Sequence, residues 1–247
     1  MHISLQAETI GLLFGFPITN SLVLSLLTAF LLVGGGFLVV RSLRVVPNRA
    51  QGAVEVVVDG LLSFMTQTLG SYEQAKKFFP LIATIFLFIL VNNWIGVLPG
   101  TGSIGFFETI HGKEVLVPFF RSANSDLNMT FALALIAMGA IHMYGVMKFG
   151  PWGHLSKFLI LTKGPIYFFV GLLEGVGEIA KVLSFSFRLF GNIFAGEVLL
   201  VIVMTLMPVL APFPFLLLEF FVGFIQALVF AMLTLIFLKM ATAQVEH

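Results

Sequence analysis

Apolar residues in this chain come in long runs, separated by short stretches where Gly, Pro and charged residues collect. Five runs stand out: Ile18 to Val40, Phe78 to Leu98, Leu127 to Met147, Ile166 to Leu206 and Val209 to Leu238. Each reaches the roughly 20 residues that a helix needs to cross a bilayer. None alternates in the manner of a barrel strand, so the pattern predicts an all-α integral membrane protein, with residues 1–247 as one membrane domain.

A sixth segment, residues 50–70, has a different rhythm. Gln51, Glu55, Asp59, Ser63 and Gln67 recur every fourth residue, leaving Val54, Val57, Val58, Leu61, Leu62, Met65 and Leu69 on the rest of the cylinder. That spacing predicts an amphipathic helix lying at the membrane interface.

The last two runs are too long for simple crossings. At about 1.5 Å per residue they would reach roughly 60 Å and roughly 45 Å, against about 30 Å of hydrocarbon. No Pro interrupts the interior of either, which predicts a hairpin of two long, steeply tilted helices joined at the Pro-rich turn MPVLAPFP. The alternative is a break near Gly175, Gly177 or Gly191.

Basic residues set the expected orientation. With the N-terminus outside, Arg41, Arg44, Arg49, Lys76, Lys77, Lys148, Lys157, Lys163 and Lys239 fall on the cytoplasmic side, and only Lys113 and Arg121 outside. An odd number of crossings then leaves the C-terminus in the cytoplasm. Residues 1–17 hold no Lys or Arg, so the first run is expected to be a retained anchor rather than a cleaved signal.

Composition narrows the chemistry. The chain is 59% hydrophobic and 10% charged, against roughly 25% charged in ordinary globular domains. A net charge of +1 gives a nucleic-acid partner no electrostatic support. The absence of Cys excludes disulfides, iron–sulfur clusters and thiolate chemistry. With no HExxH, paired His/Asp cluster or Gly-rich phosphate loop, neither a metal, a cofactor nor nucleotide catalysis is expected in this chain.

The remaining signal is a set of charges at membrane depth: Glu174, Glu178, Lys181, Arg188 and Glu197 on the fifth run and Glu219 on the sixth. Each central charge costs about 2.5–3.5 kcal/mol to insert, which folding alone does not explain. On a helix, Glu174, Glu178, Lys181, Arg188 and Asn192 fall within about 80° of one another, whereas Glu197 lies about 180° from Arg188. Glu219 and Gln226 share a face of the next run. For Glu178 and Lys181 a static ion pair or snorkelling is an equal alternative to function. Carboxylates in such surroundings exchange protons, while an arginine stays charged at physiological pH. Two glutamate groups, one opening inward and one outward around a fixed cation, suggest two half-channels that do not meet. Arg188 would bar direct passage and attract a carboxylate presented by another subunit.

The run RLFGNIFAGE, with Glu174 in LLEGVGEIAK and Gln226 in FVGFIQALVF, closely resembles subunit a of the F-type ATP synthase membrane sector. The likeness extends more loosely to the interfacial helix, NNWIGVLPG and SDLNMTFALAL. It implies a rotary-motor stator that admits protons through two offset half-channels to a c-subunit ring, with peripheral-stalk b-type subunits and the remaining ATP synthase as partners. ATP chemistry would lie on other subunits, and the host membrane would be a bacterial plasma membrane, with an energy-transducing organelle membrane as the alternative. By position, the resemblance makes Arg188 the essential arginine facing the rotor carboxylate, Asn192 and Gln226 its polar neighbours, Glu197 part of the outer path and Glu174 part of the inner one. Glu219 stands where some members have His, so the outer relay here would run carboxylate to carboxylate. Glu178 receives no role from the family.

Other polar residues carry weaker expectations. Asn92, Asn93, Asp126 and Asn128 cluster at the outer ends of the second and third crossings, where Asp126 is expected to cap a helix and a supporting role on the outer path is the alternative. His142 reads as a hydrogen-bonded interior histidine, His111 as a solvated loop residue, and Trp94 and Trp152 as interface anchors. The rival function is a self-contained proton-coupled transporter, but such carriers often contain repeated broken helices and the charged hairpin has no second copy here.

Overall fold

The computed structural model describes residues 7–13, 15–98, 100–101, 104–110, 113–155, 165–208 and 210–243. The described helices are α1 (Asn20–Arg41), α2 (Arg49–Leu69), α3 (Tyr72–Val97), α4 (Leu127–Leu155), α5 (Pro165–Leu206) and α6 (Pro212–Thr242). All but α2 are long and apolar enough to cross a membrane. The expected all-α membrane architecture is therefore the one observed.

Local chemistry explains the helix ends. The side chains of Thr19, Asn48 and Ser71 accept hydrogen bonds from the backbone N–H groups of Leu22, Gln51 and Gln74, capping α1, α2 and α3. Gly70 ends α2 in the left-handed conformation, with φ of 74°, and turns the chain directly into α3. The start of α3 at Tyr72 lies six residues before the first residue of the apolar run at Phe78. In α4 the helix kinks at Gly150, with φ of 74° and ψ of 165°, immediately before Pro151. Pro212 opens α6, where its missing N–H costs no helical bond.

α5 runs unbroken for 42 residues through Gly175, Gly177 and Gly191, so the broken-helix alternative falls away. Its partner α6 packs beside α3, and α4 closes against both α5 and α6. Ile82, Ile85 and Ile89 of α3, Ala134, Ala137 and Ile141 of α4, Leu189 and Ile193 of α5, and Ala227, Ala231 and Leu235 of α6 are buried in this core. Phe185 meets Phe230 edge to face at 4.7 Å between centroids. The alanines allow the helices to approach closely, which suits packing in lipid, where apolar burial alone gives little drive.

The amphipathic segment is helix α2, but its polar face is not uniformly outward. Gln51 is buried, donating to the Arg44 carbonyl and to Glu55 Oε1, while Leu61, Met65 and Leu69 pack into the core. Turning Gln51 inward satisfies backbone groups of the preceding loop.

Two antiparallel hairpins were not anticipated from the apolar runs. β1 (Thr9–Leu13) pairs with β2 (Phe16–Thr19), and β3 (Gly105–Ile110) with β4 (Lys113–Pro118). Their strands are 4–6 residues long, too short to compete with the long apolar runs as a pattern. Asn20 ties both regions to the start of α1, donating through Nδ2 to Glu8 Oε2 at 3.4 Å and to the Pro118 carbonyl at 3.3 Å. This defines a hairpin end of the bundle. At the opposite end, Lys239 donates to the Thr68 carbonyl and Lys148 to that of Thr242.

Candidate functional site

The hairpin end of the bundle holds a buried polar network. Its centre is a 3-10 turn, Ala123–Ser125, wedged among α1, α3, α4 and α5. All residues from Arg121 to Asp126 are buried. Asn124 donates to Asn93 Oδ1 at 2.6 Å, and Asn93 donates to the Gly223 carbonyl on α6 at 3.0 Å. A Cβ at Gly223 would lie 3.0 Å from that of Asn93, so a glycine there makes the close approach possible. Asp126 caps α4 by accepting from the Asn128 N–H at 3.0 Å, and its second oxygen accepts from Ser21 of α1 at 2.9 Å. Thr28 of α1 donates to Asn92 of α3 at 3.2 Å. Asn128 contributes through its backbone, and its side chain is exposed.

Arg121 links this network to α5. Its Nη2 lies 3.3 Å from Glu197 Oε2, and its Nε donates to Ser125 at 3.1 Å. The arginine side chain is 6% exposed and that of Glu197 35%. Reading the chain as spans assigned Arg121 to an outer loop and to no site. The available signal was an arginine only four residues ahead of Ser125, where the stretch Ser125–Asn128 begins.

Glu219 of α6 is buried against Gly196, the residue before Glu197. A Cβ on Gly196 would overlap the Glu219 carboxylate. The two glutamates interact electrostatically. The structure thus gathers residues from three distant parts of the sequence, with Arg121 paired to Glu197 and Glu219 packed beside Glu197's neighbour Gly196.

The opposite face of α5 is different. Phe185, Ser186, Leu189, Ile193 and Gly196 turn into the protein, while Ser184, Phe187, Arg188, Asn192 and Ala195 are exposed. Among the described residues, the three ion pairs found do not include Arg188. Glu174 is exposed nearer the start of the helix. Gln226 is half-buried on α6, about two turns beyond Glu219.

The expected single stripe on α5 therefore divides. Glu178 Oε1 lies 2.7 Å from Lys181, and its Oε2 lies 3.8 Å from His142 Nε2 on α4. Lys181 also lies over the Phe237 ring of α6 at 4.8 Å. These side chains turn toward neighbouring helices, leaving Glu174, Arg188 and Asn192 outward. His142 is 36% exposed and faces a carboxylate, so it is a partly open residue rather than the expected interior one. Trp94 donates to the Phe220 carbonyl at 3.1 Å, and Trp152 is exposed. Lys113 begins β4. His111, Lys157, Lys163 and the Val209 position of the last turn lie outside the described residues.

A helical bundle with five potential crossings, a buried arginine paired with a half-buried glutamate and an exposed arginine halfway along its longest helix defines a multi-pass membrane protein with charge set among its apolar helices. Residues 22–239 match the ATP synthase A chain family, and the chain belongs to that family. It is 35% identical over 215 residues to ATP synthase subunit a 1 of Pelobacter propionicus, covering 86% of this chain and 83% of the relative. To ATP synthase subunit a of Geotalea daltonii it is 35% identical over 216 residues, covering 87% and 83%. The corresponding protein of Campylobacter jejuni is 32% identical over 223 residues, covering 89% and 88%. Membership of this family gives the chain a role in the membrane sector of an F-type ATP synthase.

Proposed function

We propose that this chain is the stator that passes protons to a rotating c-subunit ring through two offset half-channels. The observation that carries this reading is the segregation of charge on α5, with Arg188 and Asn192 on an exposed face and Glu197 turned inward beside Glu219. An exposed, permanent cation midway along an apolar helix requires a counter-charge, and an acidic side chain on a passing rotor helix would supply it. The half-channel from the hairpin end runs by Glu197 and Glu219. The other leaves by Glu174.

The chain sits in a bacterial plasma membrane with its hairpin end and N-terminus outside. Arg41, Lys76, Lys77, Lys148 and Lys239 collect at the opposite end, which the excess of basic residues makes cytoplasmic, together with the C-terminus and the start of α5. The interfacial position of α2, the b-type peripheral-stalk partners and the tilt of the α5–α6 hairpin belong to the same proposal. A proton from outside reaches the carboxylate pair, passes to the rotor carboxylate, travels round in lipid and leaves on the Glu174 side. Arg188 closes the direct route by repelling a proton between the two paths. Pooling several such transfers in one rotation accumulates the roughly 2.3 kcal/mol available per charge per 100 mV.

The test is ion flux through the assembled membrane sector, with and without Arg188, in proton and in sodium gradients. Coupled proton flux that requires Arg188 supports the assignment. Coupled flux surviving its removal refutes it.

A further inference from the structure

We infer that His142 of α4 and Glu178 of α5 form a proton-exchange station on the inner path, between Glu174 and the rotor contact at Arg188, with Lys181 as the fixed counter-cation. The inference rests on the stator reading above and assigns two residues that reading leaves idle. Glu178 is anchored by one oxygen, Oε1, to Lys181 at 2.7 Å. Its other oxygen, Oε2, is buried with no hydrogen-bond partner and lies 3.8 Å from His142 Nε2. Lys181 is itself fixed between that carboxylate and the Phe237 ring.

The groups facing one another are thus His142 from α4, Glu178 and Lys181 from α5 and an uncharged ring from α6, with exposed Glu174 one turn nearer the start of α5. Lys181 and Glu178 offset one another's charge, and the imidazole is the third ionisable group of the cluster. Imidazole is the side chain that ordinarily titrates near physiological pH. At 36% exposure His142 reaches its surroundings, while Glu178, at 19%, is the less exposed partner.

In the pumping direction the neutral imidazole takes a proton from the inner solution and becomes imidazolium, stabilised by the adjacent carboxylate. It then releases the same proton toward the path and returns to neutral. Synthesis runs these transfers in reverse. The station stands ten residues before Arg188, about 15 Å along the helix, on the cytoplasmic side of the rotor contact. A tie that merely joined α4 to α5 would have no need of a titratable ring on a partly open surface.

Inverted membrane vesicles carrying the assembled ATP synthase expose the inner path to the medium. ATP-driven pumping, followed by quenching of a pH-sensitive dye and normalised to assembled complex, is compared in weak buffer and in added imidazole. His142→Gln and Glu178→Gln are expected to pump several-fold slower in weak buffer and to recover in imidazole, with the unsubstituted protein indifferent. The double variant should be no slower than either single one. Glu178→Asp, which keeps an ionisable group, should retain most of the rate if the glutamine variant assembles poorly. Unchanged rates in weak buffer, or a slowing that imidazole leaves untouched, would overturn the inference. An Arg188→Ala arm separates the two claims: if it abolishes coupled pumping while the buffer effect is absent, only the station fails.

Discussion

Arg121 and Arg188 are the same side chain in two opposite situations. Arg121 is buried, braced by Ser125 and paired with Glu197 inside its own chain. Arg188 is exposed on a helix otherwise rich in apolar residues, and among the described residues it takes part in no ion pair. The first cation is neutralised on folding and holds α5 against the turn before α4. The second has no carboxylate in ion-pair range among the described residues. A guanidinium cannot discharge itself by losing a proton, so its surroundings must provide the balancing charge. In Arg121 that need is met within the fold, and in Arg188 the proposed rotor carboxylate would meet it.

The comparison breaks most visibly at Arg188. Arg188→Ala is expected to abolish both coupled ATP synthesis and ATP-driven pumping while allowing passive proton leak, measured by dye quenching and by proton uptake into vesicles. Fold and assembly should survive, because the side chain makes no ion pair to lose within the described chain. Loss of the assembled complex instead would make Arg188 structural, like Arg121.

Substitution on the buried side should give the converse result. Glu197→Gln takes the carboxylate away from the buried Arg121 guanidinium; because Glu197 is half-buried, the cost is expected below the about 3–5 kcal/mol of breaking a fully buried pair. The amount of complex in membranes should therefore fall. Adding Arg121→Gln should recover assembly without recovering proton flux. If assembly is as poor in the double variant as in the single one, the pair does not act as a unit.

A smaller effect is expected where α5 meets α6. Gly196→Ala places a methyl group on the Glu219 carboxylate. The displaced atoms are the end of the Glu219 side chain, so the carboxylate must swing away, at a cost toward the lower end of the about 1–3 kcal/mol of overpacking. Thermal unfolding of the purified complex should shift down and proton transport slow without a leak. An unaltered transport rate would separate Glu219 from the route. The smallest change is Thr28→Val, which keeps the shape but removes the hydrogen bond to Asn92, for a loss of about 0.5–1.5 kcal/mol. Its unfolding midpoint should move slightly while flux stays normal, distinguishing the scaffold of the network from its carboxylates.

Much of the fold was legible in the chain because membrane insertion is close to a local sum over residues. Long apolar runs and the capping residue Asp126 act within a few positions of themselves. The short hairpins were missed because their stability comes from pairing with strands and with Asn20 rather than from a strong local pattern. Gln51 was assigned to the wrong face for a related reason. A buried hydrogen-bonding set made by the preceding loop outweighs one position in a helical period.

The separation of Arg188 from Glu197 by half a helical turn follows from nine intervening steps of about 100° each, and needs no knowledge of neighbouring helices. The same local geometry aligned Glu174, Arg188 and Asn192. Which side chain answers each charge is another matter. Arg121 meets Glu197 across 76 positions, and Glu219 reaches Gly196 only because α6 packs on α5. Helical phase is written in consecutive residues, whereas partners arise from helix packing, and no local spacing reveals which distant carboxylate a buried cation will meet.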